Sequence, residues 1–258
     1  MTKTSDTNPS SGTDDMLVDF GDQLIPASTK QQRVNDVFRS VASSYDVMND
    51  VMSLGIHRLW KDQLMNMITP EPHQQLIDLA GGTGDISARF LKRGGKAAVI
   101  CDINTSMMMA GRDRSDLQHF GKSVQWLAGD ASALPLVDCS ADIVTISFGL
   151  RNVTDRDAAL REALRILKPG GRFYCLEFSH IRNRPLSAMY SMWSEILPGM
   201  GALIANDAES YRYLVESIKR FPDQETLAAM MGMAGFARVR HRDLSGGIAA
   251  IHCGWKAS

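Results

Sequence analysis

Three observations predict an α/β fold for this chain: a mostly parallel sheet with helices on both faces that closes in an antiparallel hairpin. Strand-sized apolar runs alternate with helical patterns from Leu76 onward. The first run ends in a glycine-rich turn, Ala80-Gly81-Gly82-Thr83-Gly84. The chain finishes with two strand patterns on either side of Ser245-Gly246-Gly247. Strands that alternate with helices lie parallel and are buried on both faces. Two glycines between adjacent strand patterns suit a hairpin turn.

The elements follow in order. Val34, Val37, Val41 and Tyr45 recur at spacings of three and four, which predicts a helix. Strand candidates are Leu76–Ala80, Ala97–Cys101, Val124–Ala128, Ile143–Phe148 and Phe173–Leu176, with helical stretches after Asp85 and after Asn104. A third helix spans Asp155 to Leu167, where Thr154 can cap the start, Leu160, Ala163, Leu164 and Leu167 form the apolar stripe, and Pro169-Gly170-Gly171 stops it. Ala237–His241 alternates around Val239, and Ile248–Trp255 adds the last strand, which makes seven. Residues 1–30 are polar, with Pro9-Ser10-Ser11-Gly12 and Asp14, Asp15, Asp19 and Asp22, and read as a flexible tail. One domain then spans 31–258: a helical segment at 31–74, and a core at 75–258 that carries a helical insert at about 183–220.

Composition excludes several function classes. The 258 residues are 44% hydrophobic and 22% charged with formal net charge −1, so there is no electrostatic footprint for nucleic acid. Cys101, Cys139, Cys175 and Cys253 are scattered with no Cys-x-x-Cys pair, which predicts buried apolar residues in a reducing compartment and no metal site. No signal core, transit pattern or membrane-length apolar run is present, so the expected location is cytoplasmic, with room for contact at a membrane surface.

The glycine turn points to a ligand, because glycines at a strand–helix junction let backbone N–H groups approach one closely. Gly82-x-Gly84 is followed by Ser87, so the dinucleotide fingerprint fails, and no Gly-Lys-Ser/Thr phosphate loop exists. Asp78 lies on the first strand, Asp102 ends the second, where a carboxylate can accept both ribose hydroxyls, and Asp130 follows the third. Three acids without a phosphate-binding cation suit a ligand with a nucleoside, an amino group and no phosphates. S-adenosylmethionine meets that description.

The chain here resembles the class I S-adenosylmethionine-dependent methyltransferases over about residues 75–255, with Ala80 where that class commonly has its first loop glycine. Alanine costs little there if φ is negative. Four further segments resemble the ubiquinone/menaquinone biosynthesis C-methyltransferase family. They are Tyr45-Asp46-Val47-Met48-Asn49 through His57-Arg58-Leu59-Trp60, Arg165-Ile166-Leu167-Lys168-Pro169-Gly170-Gly171 through Glu177-Phe178-Ser179, Phe148-Gly149-Leu150-Arg151-Asn152-Val153, and Tyr211-x-Tyr213-Leu214 through Phe221-Pro222. The resemblance implies a Rossmann-like fold and methylation of a ring carbon of a polyprenylated benzoquinol or naphthoquinol. It also implies cofactor contacts at Gly82, Thr83 and Gly84 in the loop, Asp102 at ribose, Asp130 and Ala131 near adenine, and Ser147 at the end of the fourth strand.

Arg151 and Asn152 follow the fourth strand, whose end faces the methyl group in this fold, and are the first catalytic candidates. A guanidinium stays protonated, so Arg151 suits a phenolate stabiliser or water relay better than a free base, or simply pairs with Asp155. His57 is the alternative base or a packed structural residue. Tyr45 and Asn49 are placed on the substrate side, and Glu177 binds water or a ring hydroxyl or caps the sheet end. A methionine-rich stripe, Leu186, Met189, Met192, Trp193, Ile196, Leu197, Met200 and Leu203, suits an isoprenoid tail, a membrane surface, a homodimer or other quinone-pathway enzymes, or ordinary core. Two other functions stay open: a methyltransferase of another lipid-like aromatic acceptor, and a non-catalytic scaffold with this fold.

Overall fold

The structure, a computed structural model, describes residues 17–20, 23–26, 28–30, 32–34, 50, 53, 55–182, 185, 188, 190 and 208–258. A short antiparallel hairpin, β1 (Leu17–Phe20) and β2 (Gln23–Pro26), therefore lies within the stretch expected to be a tail. Residues 1–16, most of the helix expected from Val34 to Tyr45 and the methionine-rich stripe lie outside the described residues.

The main sheet contains β3 (Gln75–Leu79), β4 (Ala97–Asp102), β5 (Val124–Ala128), β6 (Ala141–Ser147), β7 (Leu167–Phe178), β8 (Ala237–Leu244) and β9 (Ala249–Trp255) in the order β5-β4-β3-β6-β7-β9-β8. The pairs from β5 across to β7 are parallel; β9 runs antiparallel to both β7 and β8. This is the expected seven-stranded sheet with its closing hairpin. The chain order reverses between β3 and β6, and at such a switch point the crevice at the strands' carboxyl ends receives ligands.

Strand residues alternate between two cores. Leu76, Ile143, Tyr174 and Leu176 pack on one side with α1 (His57–Ile68), α2 (Asp85–Lys92) and α6 (Ala208–Lys219). Ile77, Val144, Phe173 and Cys175 pack on the other with α5 (Arg156–Ile166) and α7 (Gln224–Met233). Burial on both faces explains why these strands read as continuous apolar runs. Between β4 and β5 lie α3 (Thr105–Arg112) and the single turn α4 (Ser115–Gln118).

Helix α1 buries His57, Trp60, Lys61, Leu64, Met65 and Ile68 at spacings of three and one, a stripe turned to the sheet. It is fastened at both ends. Trp60 Nε1 donates to Ser245 Oγ in the hairpin turn (2.9 Å), and Tyr174 Oη and Arg172 Nη2 donate to the terminal carbonyls of Met67 and Ile68 (both 3.1 Å).

Two local expectations are corrected. Helix α5 is capped by Asp155, whose Oδ1 accepts from Ala158 N (2.8 Å), one residue later than Thr154. It ends at Ile166 without help from the Pro-Gly-Gly run, because Leu167 already pairs with Ala141 and the run forms a bulge before Arg172 pairs with Ile143. Of the cysteines, Cys101, Cys175 and Cys253 are buried, whereas Cys139 is exposed.

The turn after β3 holds a further correction. Ala80 adopts φ +48, in the left-handed region, so alanine is strained there. Its Cβ occupies the space beside Gly149, where an added Cβ would lie 2.5 Å away. Replacing Ala80 with Gly removes the Cβ conflict of the left-handed backbone. The expected result is a stability gain of about 1 kcal/mol, or roughly 2–3 °C in Tm, measured by thermal unfolding.

Candidate active site

A cleft opens at the carboxyl ends of β3, β4 and β6. Its walls include the glycine turn, Lys61, Asp78, Asp85, Asp102, Asn104, Met107, Asp130, Ala131, Ser147, Phe148, Gly149 and Asn152. Of the residues expected at the cofactor, Gly82, Thr83, Asp102, Asp130, Ala131 and Ser147 line this cleft. Gly84 does not. It heads α2 with φ +78, and an added Cβ would strike Ile100 and Leu117 at 2.7 and 2.8 Å, so it serves the turn and its packing.

Asp102 anchors the cleft. Its Oδ2 accepts from Gly82 N (2.8 Å) and its Oδ1 from Asn104 N (2.7 Å), which ties the glycine turn to the end of β4. Asn104 in turn caps α3, its Oδ1 accepting from Ser106 N and Met107 N (3.1 and 3.2 Å). Burial pushes the Asp102 carboxyl up, and the N–H groups of Asn104, Gly82 and Ile103 oppose it. Each carboxylate oxygen can accept more than one hydrogen bond, so the clamp leaves capacity for ligand hydroxyls. Asp130 Oδ1 holds its own loop through Ser132 N and Oγ (2.8 and 2.7 Å).

Asp78 lies beneath the turn with 1% exposure. Its oxygens accept from Thr145 Oγ1 (2.8 Å) and Ser87 Oγ (3.1 Å), and burial raises it to about 7 despite them. Asp85 is driven the other way. Burial disfavours its charge, but Lys61 at 2.8 Å, with Arg89 and Arg114 at 3.3 and 3.6 Å, holds it below the usual carboxylate range. Lys61 is the residue that sequence reading missed: it looked only for a phosphate-binding cation beside the glycine loop. The available signal was a lysine inside the apolar stripe of α1, a position that has to be either paired or functional.

The structure separates the catalytic candidates. Asn152 lines the cleft; Arg151 and His57 do not. Arg151 is buried behind the wall, and its partner is Glu177, not Asp155. Nη1 reaches Glu177 Oε1 at 2.7 Å and also donates to the carbonyl of Phe148. Glu177 accepts as well from the backbone of Arg151 (3.3 Å) and Phe178 (3.0 Å), so it is an internal ion-pair partner, away from the cleft. Burial pushes its carboxyl up, with Arg151 as the main opposing influence. The pair secures Phe148, a non-glycine residue at φ +55 at the end of β6. Asn152 Oδ1 accepts from Tyr213 Oη (3.1 Å); burial raises that phenol to about 12, so it remains a donor.

His57 is buried. Its Nε2 lies 2.8 Å from Asp50 Oδ1, and burial followed by the charge of Lys61 lowers its pKa. Tyr45 and Asn49 lie outside the described residues.

Residues 27–256 match the ubiE/COQ5 methyltransferase family. The chain belongs to that family. It is 55% identical to the ubiquinone/menaquinone biosynthesis C-methyltransferase UbiE of Acidiphilium cryptum, over 93% of this chain and 96% of that protein. It is 52% identical to the protein of the same name from Ruegeria sp., over 94% and 98%. Solved structures share the fold. An S-adenosylmethionine-dependent methyltransferase from Thermotoga maritima, described as a possible histamine N-methyltransferase, superimposes with TM-score 0.61 at 22% identity, covering 86% of this chain and 98% of that one. Haemonchus contortus phosphoethanolamine N-methyltransferase 2, solved in complex with S-adenosyl-L-methionine, gives TM-score 0.56 at 13% identity, covering 76% and 51%.

The donor set fits S-adenosylmethionine, the cofactor of this ubiE/COQ5 family member. Asp102 and Asp130 stand at consecutive strand ends, and Ser147 Oγ is buried on the cleft wall without a hydrogen-bond partner among the described residues.

Two expectations follow. Asp78 is mostly neutral below pH 7 and ionised above it, and a ligand carrying two positive charges and one negative favours the ionised form. Affinity for S-adenosylmethionine, followed by calorimetry, rises several-fold from pH 6 to 7.5 and then levels, and Asp78→Asn abolishes the rise. Glu177→Gln leaves the Arg151 charge buried beside a neutral amide and costs about 3 kcal/mol of stability, read by urea unfolding.

Proposed function

We propose that this protein transfers a methyl group from S-adenosylmethionine to a ring carbon of a polyprenylated quinol in ubiquinone or menaquinone biosynthesis. The observation that carries this reading is similarity above 50% identity, across more than nine-tenths of the chain, to proteins named for that step. The cleft chemistry supports it. When bound, S-adenosylmethionine supplies an electrophilic methyl on a sulfonium.

The protein's own residues have two tasks: to hold the donor and to make the acceptor ring more nucleophilic. In this reading Thr83, Asp102, Asp130, Ala131 and Ser147 hold the donor. Asn152 faces the acceptor. With its oxygen engaged by Tyr213, its amide N–H groups are left to donate to a quinol oxygen and favour the phenolate, which places charge on the ring carbon ortho or para to it. Arg151 acts through Asn152, by fixing the turn that carries it, and is a positioning residue. Holding donor and acceptor in line removes much of the entropic barrier to the transfer.

A polyprenyl tail keeps the substrate in a membrane, so the enzyme works at a membrane surface; no helix among the described residues is long and apolar enough to cross one. Self-association and association with other quinone-pathway enzymes belong to the same proposal.

The test supplies purified protein with S-adenosylmethionine and either 2-methoxy-6-polyprenyl-1,4-benzoquinol or demethylmenaquinol, and follows the product by mass spectrometry. One added ring methyl on at least one acceptor is expected, with kcat reduced roughly 100-fold in Asn152→Ala, the scale of one lost oxyanion donor. Tight cofactor binding with no transfer to either quinol would overturn the reading.

A further inference from the structure

Lys61 lines the cleft, and it is the one cation among the described residues that do. It faces four carboxyl groups on the same walls, those of Asp78, Asp85, Asp102 and Asp130. The ligand has a matching imbalance: a sulfonium, an ammonium, and a single carboxylate on its methionyl part. We propose that Lys61 receives that carboxylate and thereby reads the amino-acid end of S-adenosylmethionine. The inference rests on the donor being S-adenosylmethionine, and it adds a residue and a helix to the recognition of that donor.

Three features of the structure support the assignment. First, Lys61 is 5% exposed and projects from the buried face of α1, where its neighbours are His57 and the apolar Trp60, Leu64, Met65 and Ile68. A buried ammonium is costly unless compensated, and Asp85 supplies one carboxylate at 2.8 Å. An ammonium carries three donors, so one Asp85 contact does not exhaust it.

Second, the positive charge beside the cleft is gathered at this point. Lys61, Arg89 and Arg114 all lie within 3.6 Å of Asp85, three cations around one carboxylate. Arg89 and Arg114 have carboxylates of their own besides, since Arg89 reaches Asp62 at 2.6 Å and Arg114 reaches Asp116 at 3.1 Å. Lys61 is the member of the three that lines the cleft.

Third, the position along the cleft is right. Of the acids suited to ribose and adenine, Asp102 ends β4 and Asp130 follows β5, the two strands on one side of β3 in the sheet. Asp85 begins α2 directly after the turn that follows β3, and Lys61 reaches it from α1. A ligand that runs from adenine through ribose and across the turn brings its methionyl end to this pair. The ammonium of that end is then offered Asp85 and Asp78, the acids nearest to it.

The experiment compares two ligands that differ in the carboxylate alone: S-adenosylmethionine and its decarboxylated form, which keeps both positive charges. Affinities are measured by calorimetry on the full-length protein, with Lys61→Met, Lys61→Gln and Lys61→Arg. The wild type prefers S-adenosylmethionine. In Lys61→Met and Lys61→Gln, affinity for it falls roughly ten- to hundredfold, the range for a charge-assisted hydrogen bond, while affinity for the decarboxylated ligand changes less than about threefold. Lys61→Arg retains most of the preference.

Equal weakening of both ligands, or no weakening of either, overturns the proposal, because a purely structural lysine does not distinguish them. So does a wild type that binds the two ligands alike, a result that stands even if every Lys61 variant fails to fold. A wild type that binds neither ligand overturns the S-adenosylmethionine reading itself.

Discussion

The carboxylate of Asp102 is the constraint on which the site depends. One oxygen holds the backbone of the glycine turn, the other holds Asn104, and Asn104 caps the following helix. Three neighbouring elements, the β3 turn, the end of β4 and the start of α3, are thereby fixed by one side chain. A carboxylate that accepts two backbone N–H groups satisfies donors that would otherwise be left unpaired at a turn and a helix end. Asp102 also lines the cleft, so the group that sets the shape of the loop borders the space open to a ligand.

A second clamp stands across the cleft. Arg151 and Glu177 form a fully buried pair that holds the carbonyl of Phe148 and the backbone of Arg151 and Phe178. Isolated burial of either charge would be costly, and the pair is worth most as a device that specifies one conformation of the turn after β6. Asn152 projects from that turn. Its orientation is fixed from behind by Tyr213, which belongs to α6 on the far side of the turn in sequence.

Much of this was legible in the sequence, for a physical reason. Strand ends, glycine turns and caps are local features, so Asp102, Asp130, Ser147 and the glycine loop all lie where their neighbours in sequence place them. The parallel sheet followed from alternation, and the closing hairpin from two glycines. What escaped was decided at long range or by backbone geometry. Arg151 has an acid four residues away, yet pairs with Glu177, because β6 and β7 are adjacent and the side chain points into the space between their ends. Lys61 is a single charge in a helix stripe, and nothing in its own segment says that α1 reaches the cleft. The sign of φ at Ala80 depends on the turn that Asp102 imposes.

The two clamps also account for the strain. Ala80 and Phe148 both adopt left-handed backbone, at φ +48 and +55, and they follow β3 and β6, the neighbouring strands that flank the switch point. Between them Gly149 approaches Ala80 so closely that an added Cβ would lie 2.5 Å from the alanine methyl. Non-glycine residues persist in such conformations only where the surroundings over-determine them. The Asp102 clamp does so for the first turn and the Arg151–Glu177 pair for the second. The result is a cleft whose opposing walls are held close and rigid before any ligand arrives. Methyl transfer needs that geometry, because donor and acceptor must be brought into line at van der Waals distance and gain nothing from a wall that yields. The strain at Ala80 and Phe148 is therefore the local cost of walls that stand in register with each other.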